Sequence, residues 1–208
     1  MVSSSEGVTV AIVGEREIVV KFVEYMKKLI AYDIWYRVNY VLRSTELFPT
    51  QPEIDLIFGR KDGGNKYPPI IAAEVKYIRT TRDGRASHSY YSGLDEALAL
   101  LVLGFDNVIL IHLVKSELLR STFLSYIEVL SELIRNLNLP IGYRVYSVHE
   151  TGDEAFFYTS VGVTEYSIVD LKTLWVRPPT NPLLSSDNDM SRLAKRNRKA
   201  LARVLGVS

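Results

Sequence analysis

The chain of 208 residues contains no cysteine. Disulfide bridges, thiolate metal sites and cysteine nucleophiles are therefore excluded. Glutamine is nearly absent as well, with Gln51 the single instance, and the two deficits together are typical of an intracellular protein from a hot environment. No apolar run approaches the roughly 20 residues of a membrane-spanning helix, and the first 14 residues lack the basic segment of a secretory signal peptide. We therefore predict a cytoplasmic protein that does not enter the membrane.

Basic and acidic residues are unevenly divided along the chain. The formal net charge is +1, but residues 190–208 contain six basic residues and no acid. The other 189 residues hold 19 basic and 24 acidic residues, so an acidic body is joined to a basic tail. This asymmetry suggests a polyanionic partner, although a solvated surface helix would have the same composition.

Hydrophobic periodicity predicts an α/β fold. Helices are expected at residues 15–31, 89–103, 117–138 and 190–206. Strands are expected at residues 34–42, 53–59, 70–78, 107–114 and 141–148, with further short strands between 154 and 170. This order predicts a mixed β-sheet flanked by helices, with a basic C-terminal helix. The chain has no Gly-rich loop between a strand and a helix, which argues against P-loop and dinucleotide-binding proteins.

We expect two parts in the chain. Residues 1–176 would form the α/β domain, and residues 177–208 a Pro- and Ser-rich linker followed by the basic helix. Asp187 or Asp189 could cap that helix at its N-terminus. His112 lies within the apolar run of the fourth strand and is expected to be a core or strand-end residue.

Two acids and a lysine lie on neighbouring predicted strands. Glu74 and Lys76 are two residues apart and therefore point to the same side of their strand. If the preceding turn pivots between Gly64 and Asn65, Asp55 falls opposite Glu74, because both are equally far from the pivot. Two carboxylates would then face each other across the strand pair.

Facing carboxylates destabilise a strand pair and raise each other's pKa. A divalent cation would remove both problems, and the oxygen ligands of Asp55 and Glu74 suit Mg²⁺. Lys76 would stand beside the cation and could orient or help deprotonate the attacking water, or stabilise developing charge. A solvated sheet edge with a weak salt bridge is the alternative, but the neighbouring residues on both strands are strongly apolar.

The pattern Pro52-Glu53-Ile54-Asp55, followed by Glu74-Val75-Lys76, resembles the PD-(D/E)xK nuclease superfamily, whose members have the restriction-endonuclease-like fold. The order of elements over residues 14–114 is also similar to the core of that superfamily. The start of the first helix resembles that of archaeal Holliday junction resolvases. Two residues separate the proline from the aspartate here, which departs from the compact PD form.

The resemblance implies a Mg²⁺-dependent nuclease, with Mn²⁺ as an alternative metal, that hydrolyses phosphodiester bonds of DNA or RNA. Asp55 and Glu74 would match the metal-binding acids, and the carbonyl of Val75 the backbone ligand. Lys76 would match the catalytic lysine. A homodimer would suit an endonuclease that cuts both strands, and the sequence leaves the oligomeric state open.

Many members of the superfamily also use a glutamate from the first helix. Glu15 is our choice, because it is in phase with Ile18 and Phe22 on the side expected to face the sheet. It would then be both a catalytic and a metal-binding residue. Glu17 and Glu24 are the competing choices, and a solvated helix face would explain any of the three.

The segment that follows Lys76 is rich in arginine and tyrosine. Candidates for nucleic-acid contact there are Arg79, Arg82, Arg85 and Tyr90. Arginine pairs with phosphates and aromatic rings stack on exposed bases, although a solvated surface loop would have the same composition.

The basic tail carries a stripe at helical spacing. The stripe comprises Arg192, Arg196, Lys199 and Arg203. We expect phosphate contacts from this helix, with Lys195, Arg196 and Lys199 as the candidates. A Mg²⁺-dependent nuclease is therefore our first prediction, and a non-catalytic nucleic-acid-binding module or an assembly subunit on the same fold is the alternative.

Overall fold

A computed structural model describes residues 14–29, 34–43, 51–60, 69–81, 83–120, 123–151, 154–159 and 179–207. Within these ranges the strands are β1 (Ile34–Val41), β2 (Glu53–Arg60), β3 (Ile71–Ile78), β4 (Asn107–Lys115), β5 (Gly142–Thr151) and β6 (Glu154–Thr159). The helices are α1 (Glu15–Leu29), α2 (Leu94–Val102), α3 (Phe123–Asn136) and α4 (Asp189–Leu205), with short 3-10 helices at Leu118–Arg120 and Pro182–Leu184.

The six strands form one sheet in the order β1-β2-β3-β4-β5-β6. The first three strands are antiparallel neighbours, β3, β4 and β5 run parallel, and β6 returns antiparallel to β5. The parallel steps contain α2 and α3, as crossover connections require. The predicted α/β class with a mixed sheet flanked by helices is therefore confirmed. No helix in the described part of the chain is long and apolar enough to cross a bilayer.

The observed elements begin and end close to the predicted positions, with two differences. The helix expected from residue 89 begins only at Leu94, after turns and a left-handed Gly93. The helix expected over 117–138 is shorter, because a 3-10 turn precedes α3. The strands expected beyond residue 159 and the domain boundary at 176 lie outside the described residues.

Helices cover both faces of the sheet, and each face buries its own apolar cluster. On one face, α1 contributes Ile18, Phe22 and Met26, which pack with the alternate residues Val75 and Ile111 of β3 and β4. The opposite face is covered by α2, α3 and α4. Its buried core includes Ala97, Leu100, Ile127, Leu130 and Leu201. The strands β3 and β4 are thus buried on both sides, which explains their nearly continuous apolar sequence.

The N-cap of α4 is Asn188, and both predicted alternatives, Asp187 and Asp189, were wrong. The Asn188 side chain accepts a hydrogen bond from the backbone N–H of Ser191 at 2.8 Å. Asp189 is instead the first residue of the helix, and Asp187 precedes the cap.

The helix α4 is attached to the C-terminal end of α2. Asn197 donates to the carbonyl of Val102 at 2.9 Å, which satisfies one of the free carbonyls at that helix end. Gly104 has φ +89°, and a Cβ there would lie 2.5 Å from the Ala194 carbonyl oxygen. Glycine therefore permits both the left-handed turn and the close helix contact.

Candidate active site

The strands β2 and β3 are paired over a short stretch only. The paired residues are Leu56 with Ala73, Ile57 with Ala72, and Phe58 with Ile71. One step further along the same register, Asp55 lies opposite Glu74, in agreement with the symmetry of the predicted turn. The two strands separate at this pair.

Side chains replace β2 as acceptors for β3 beyond the separation. The backbone N–H of Val75 donates to Asp55 Oδ2 at 2.8 Å, and the N–H of Tyr77 donates to Glu15 Oε1 at 3.0 Å. In a strand the N–H and C=O of one residue point to the same edge, so the Val75 carbonyl also faces the gap. Two acids and one carbonyl therefore meet at this edge of β3.

A cavity of about 370 Å³ occupies the gap between the separated strands. Its wall includes Glu15, Asp55, Glu74 and Lys76, which are the four side chains predicted to form the site. The other lining residues are Arg16, Val19, Asn39, Pro52, Glu53, Ile54, Glu96, Ala99, Leu100 and Leu103. Elements from both faces of the sheet, α1 and α2, therefore enclose one site.

Lys76 lies between two carboxylates. Its Nζ is 2.7 Å from Glu74 Oε1 and 2.5 Å from Glu96 Oε2. Glu96 belongs to the first turn of α2 and was not predicted from the sequence. It lies 20 residues beyond Lys76 in no recognisable spacing, and an acid in a first helical turn is expected from the helix dipole alone.

The start of α2 packs directly against the stem of Lys76. Gly93, the residue before the helix, has φ +82°. A Cβ at this position would lie 2.9 Å from Leu110 Cδ1 and 3.0 Å from Lys76 Cγ. A side chain would push the helix away from β3, so glycine lets Glu96 reach the lysine.

His112 fixes the turn that leads into α2. It is fully buried on β4, beside Lys76 in the strand register. Burial lowers the pKa of His112 to about 4, so the ring is neutral at physiological pH. Because a carbonyl can only accept, Nε2–H donates to the Ser92 carbonyl at 3.0 Å, and Nδ1 accepts from the Tyr143 hydroxyl at 3.0 Å. Of the two predicted positions for His112, core or strand end, the structure therefore shows the core.

The two facing acids are harder to ionise than free carboxyl groups. Burial, followed by the charge of Asp55, raises the pKa of Glu74 to about 9. Burial also raises the pKa of Asp55, although the hydrogen bond from Val75 acts in the opposite direction. In the absence of a cation, Glu74 therefore holds a proton at neutral pH.

Lys76 and Glu96, in contrast, stay ionised. Burial opposes the charge on Lys76, but the hydrogen bonds from its Nζ to Glu74 and Glu96 outweigh it and raise the lysine pKa above its usual value. Burial would also raise the pKa of Glu96, yet its hydrogen bonds with Glu74 and Lys76 lower that pKa. The ammonium group is therefore held by an ionised carboxylate in α2.

The donor atoms at the gap suit a hard cation. Within the described ranges, no group of three or more histidine or acidic side chains is arranged so that it could hold a metal ion by itself. The carboxylates of Asp55 and Glu74 and the carbonyl of Val75 are nevertheless oxygen ligands, and Mg²⁺ commonly takes one or two carboxylates and keeps several waters. A cation would also favour ionisation of the two acids, whose pKa values are raised without one. We conclude that these residues fit Mg²⁺.

Residues 79–81 and 83–87 of the predicted arginine segment fold back on each other after β3. Thr80 and Ala86 form a bridge between its two sides, and Gly84 lies at the tip. Arg79 is half-buried at its base, whereas the Arg85 side chain near the tip is 85% exposed. Arg82 lies outside the described residues.

The predicted tyrosine is packed against a helix. The Tyr90 ring stacks on Tyr126 of α3, with ring centroids 5.0 Å apart and planes 12° from parallel. The neighbouring Tyr91 is 58% exposed, which makes it the more accessible of the two rings for a ligand.

The three predicted residues of the tail differ in their surroundings. Lys195 is half-buried, and its Nζ donates to the Ser186 carbonyl at 2.6 Å. Arg196 and Lys199 are exposed on α4. The structure therefore leaves the latter two available at the surface and engages the first within the fold.

The scan against protein-family models and the search of the curated proteins find no significant match. A functional assignment must therefore be argued from the arrangement of the side chains.

Proposed function

We propose that the chain is a Mg²⁺-dependent nuclease of the PD-(D/E)xK type, which hydrolyses phosphodiester bonds in DNA or RNA. One observation carries this proposal. Asp55, Glu74 and Lys76 share one cavity at the point where β2 and β3 separate. The cavity is partly open to solvent and lies within the sheet, in the gap between β2 and β3.

The acids would hold the metal ion. Asp55 and Glu74 would bind through their carboxylates, and the Val75 carbonyl would bind from the same edge of β3. Glu15 would contribute from α1, where its Oε1 already accepts from Tyr77. Bound Mg²⁺, or Mn²⁺ in its place, would polarise a phosphoryl oxygen and lower the pKa of a coordinated water.

The charge of the cavity favours a bound cation before a phosphodiester enters it. Among the residues that the structure describes, its wall contains five acidic side chains and two basic ones, Arg16 and Lys76. A phosphodiester is an anion and would be repelled by this surplus of negative charge. A divalent cation reverses the local balance, so affinity for nucleic acid at this cavity should depend on the metal.

Lys76 would act as a cation and hydrogen-bond donor. Its raised pKa keeps it protonated at neutral pH, which makes it a poor general base. An ammonium group fixed by Glu74 and Glu96 is instead suited to stabilising the negative charge that develops on the attacked phosphate. Stabilisation of charge is therefore a better role for Lys76 than deprotonation of the attacking water.

Two substitutions test the proposal. We expect Glu74→Gln and Lys76→Met to lower Mg²⁺-dependent cleavage by about a hundredfold or more, because each removes a group that acts on the charge of the transition state. Cleavage should be measured on DNA and RNA, as duplexes, single strands and branched substrates. Glu128→Gln on the exposed side of α3 is the matched control.

Circular dichroism would verify that all three variants remain folded. Cleavage that persists unchanged in both site variants would refute the proposed function. A wild-type protein that binds nucleic acid but yields no product with Mg²⁺ or Mn²⁺ would favour the non-catalytic binding module.

A further inference from the structure

Four basic side chains form an exposed row along α4. The row, named here the α4 ridge, consists of Arg192, Arg196, Lys199 and Arg203, and each of them is exposed. Their spacing places them on one side of the helix. At 1.5 Å per residue, the ridge is roughly 16 Å long.

The ridge is fixed to the body of the protein. Asn197 bonds to the end of α2, and the guanidinium of Arg198 pairs with Asp106 at 2.8 Å, just before β4. The opposite end of α2 carries Glu96 into the candidate active site. A ligand on the ridge would therefore be held at a set distance from the cavity.

The basic residues of α4 differ in how strongly they are already engaged within the protein. Lys195 is engaged with the Ser186 carbonyl, and Arg198 with Asp106. Arg192 pairs with Asp189 at the start of the helix. Arg196, Lys199 and Arg203 therefore provide most of the positive charge that a ligand would meet.

We propose that the α4 ridge binds the phosphate backbone of double-stranded nucleic acid. A duplex carries about ten phosphate charges over 16 to 17 Å of its axis, so a straight row of cations of this length faces several of them. Because the helix is already folded against the body, binding to a duplex would not need to order its backbone. The proposal deepens the proposed function, since it names duplex nucleic acid as the substrate class.

The composition of α4 disfavours other occupants. The helix contains no aromatic residue, whereas proteins that bind single strands stack the bases on aromatic rings. Its apolar face, which includes Ala194 and Leu201, is buried against the body and cannot enter a lipid surface. Met190 and Val204 are exposed near the two ends, and isolated apolar side chains of this kind are ordinary on protein surfaces.

Salt dependence of binding tests the ridge without any catalysis. The double variant Arg196→Gln/Lys199→Gln should be compared with Lys28→Gln/Arg135→Gln, which removes the same charge from exposed positions on α1 and α3. Affinity for a 30-base-pair duplex would be measured in EDTA over a range of salt concentrations. Each lost phosphate contact lowers the slope of log K against log salt by about 0.9.

We expect the ridge variant to lose roughly tenfold or more in affinity at 100 mM salt and about two units of slope, because two phosphate contacts are removed. The control variant should stay within about twofold of the wild type. The single strand of the same sequence should bind more weakly than the duplex. An unchanged slope, or an equal preference for the single strand, would overturn the proposal.

The same variants separate this inference from the proposed function. With Mg²⁺, the ridge variant should raise KM and leave kcat unchanged, because the ridge lies outside the catalytic cavity. Duplex binding through the ridge without any cleavage would reject the nuclease and leave the ridge standing. If the protein cleaved nucleic acid but the ridge variant had the same salt slope as the wild type, the proposed function would stand and the ridge proposal would be rejected.

Discussion

The strand β3 is held differently along its two edges. Toward β4 all eight of its residues are paired, from Ile71 with Asn107 to Ile78 with Val114. Toward β2 three residues are paired in the described part of the chain, and the N–H groups of Val75 and Tyr77 are satisfied by carboxylates instead. One edge is a continuous ladder, and the other is an open gap lined by acids.

The difference shows how the fold places charged groups inside apolar surroundings. Buried backbone groups need hydrogen-bond partners, so the gap requires acceptors for the freed N–H groups. Asp55 and Glu15 supply them and are thereby fixed in position before any ligand binds. The fully paired edge holds β3 against β4, and Glu74 and Lys76 line the cavity from this strand.

The largest effect should come from breaking the paired edge. Ile111 is fully buried in the centre of β4, with neighbouring strands on both sides. Ile111→Pro would remove a ladder hydrogen bond and introduce a ring that a central strand does not accommodate, at a cost on the order of several kcal/mol. We expect no cooperative thermal unfolding in circular dichroism.

The conservative change Ile111→Val is the control for that experiment and should cost about 0.5–1.5 kcal/mol. If the proline variant unfolded cooperatively near the wild-type Tm, the ladder toward β4 would not be the edge that holds β3.

In the absence of metal, the raised pKa of Glu74 at the open edge should make the stability of the protein depend on pH. Glu74 has a pKa of about 9 in the folded protein and 4.5 ordinarily, so the folded state retains a proton that the unfolded chain releases. The free energy of unfolding should therefore fall as pH rises from about 5 to about 9, by an amount of the order of a few kcal/mol. Thermal unfolding in EDTA across this range measures the effect.

Glu74→Gln cannot ionise and should flatten that dependence, so that the variant is more stable than the wild type at pH 8. Mg²⁺ should flatten it as well, since the cation favours the ionised acids. A wild-type Tm that stays constant from pH 5 to pH 9 in EDTA would contradict the predicted strain at the open edge.

Variants of Glu15 should have a smaller effect on stability. They would show whether this residue acts as a hydrogen-bond acceptor or as a negative charge. Glu15→Ala leaves the buried N–H of Tyr77 without its acceptor, which should cost about 1–3 kcal/mol. Glu15→Gln keeps an acceptor oxygen and should cost much less. Urea unfolding of both variants measures the difference, and equal losses would show that charge rather than acceptance matters at this position.

Much of this arrangement could be predicted from local patterns. Strand periodicity and the symmetry of one turn were enough to align Asp55 with Glu74, because the register of a hairpin follows from its turn. Helical phase was enough to turn Glu15 toward the sheet. The exposed row on α4 followed from the same helical periodicity.

Contacts between distant segments could not be predicted in this way. Glu96 reaches Lys76 only because Gly93 allows α2 to begin against β3 and His112 fixes the preceding turn. The engagement of Lys195 with Ser186 likewise depends on how the segment before α4 folds back. No spacing in the sequence encodes these contacts.

The α/β class, the facing acids and the basic helix were predictable because they depend on periodicities of two and 3.6 residues within single segments. The point at which β2 leaves β3, the carboxylate that holds the lysine and the set of exposed cations emerge only when the segments pack together. Those outcomes depend on the packing of side chains from segments far apart in the chain, and such packing is fixed by the whole fold.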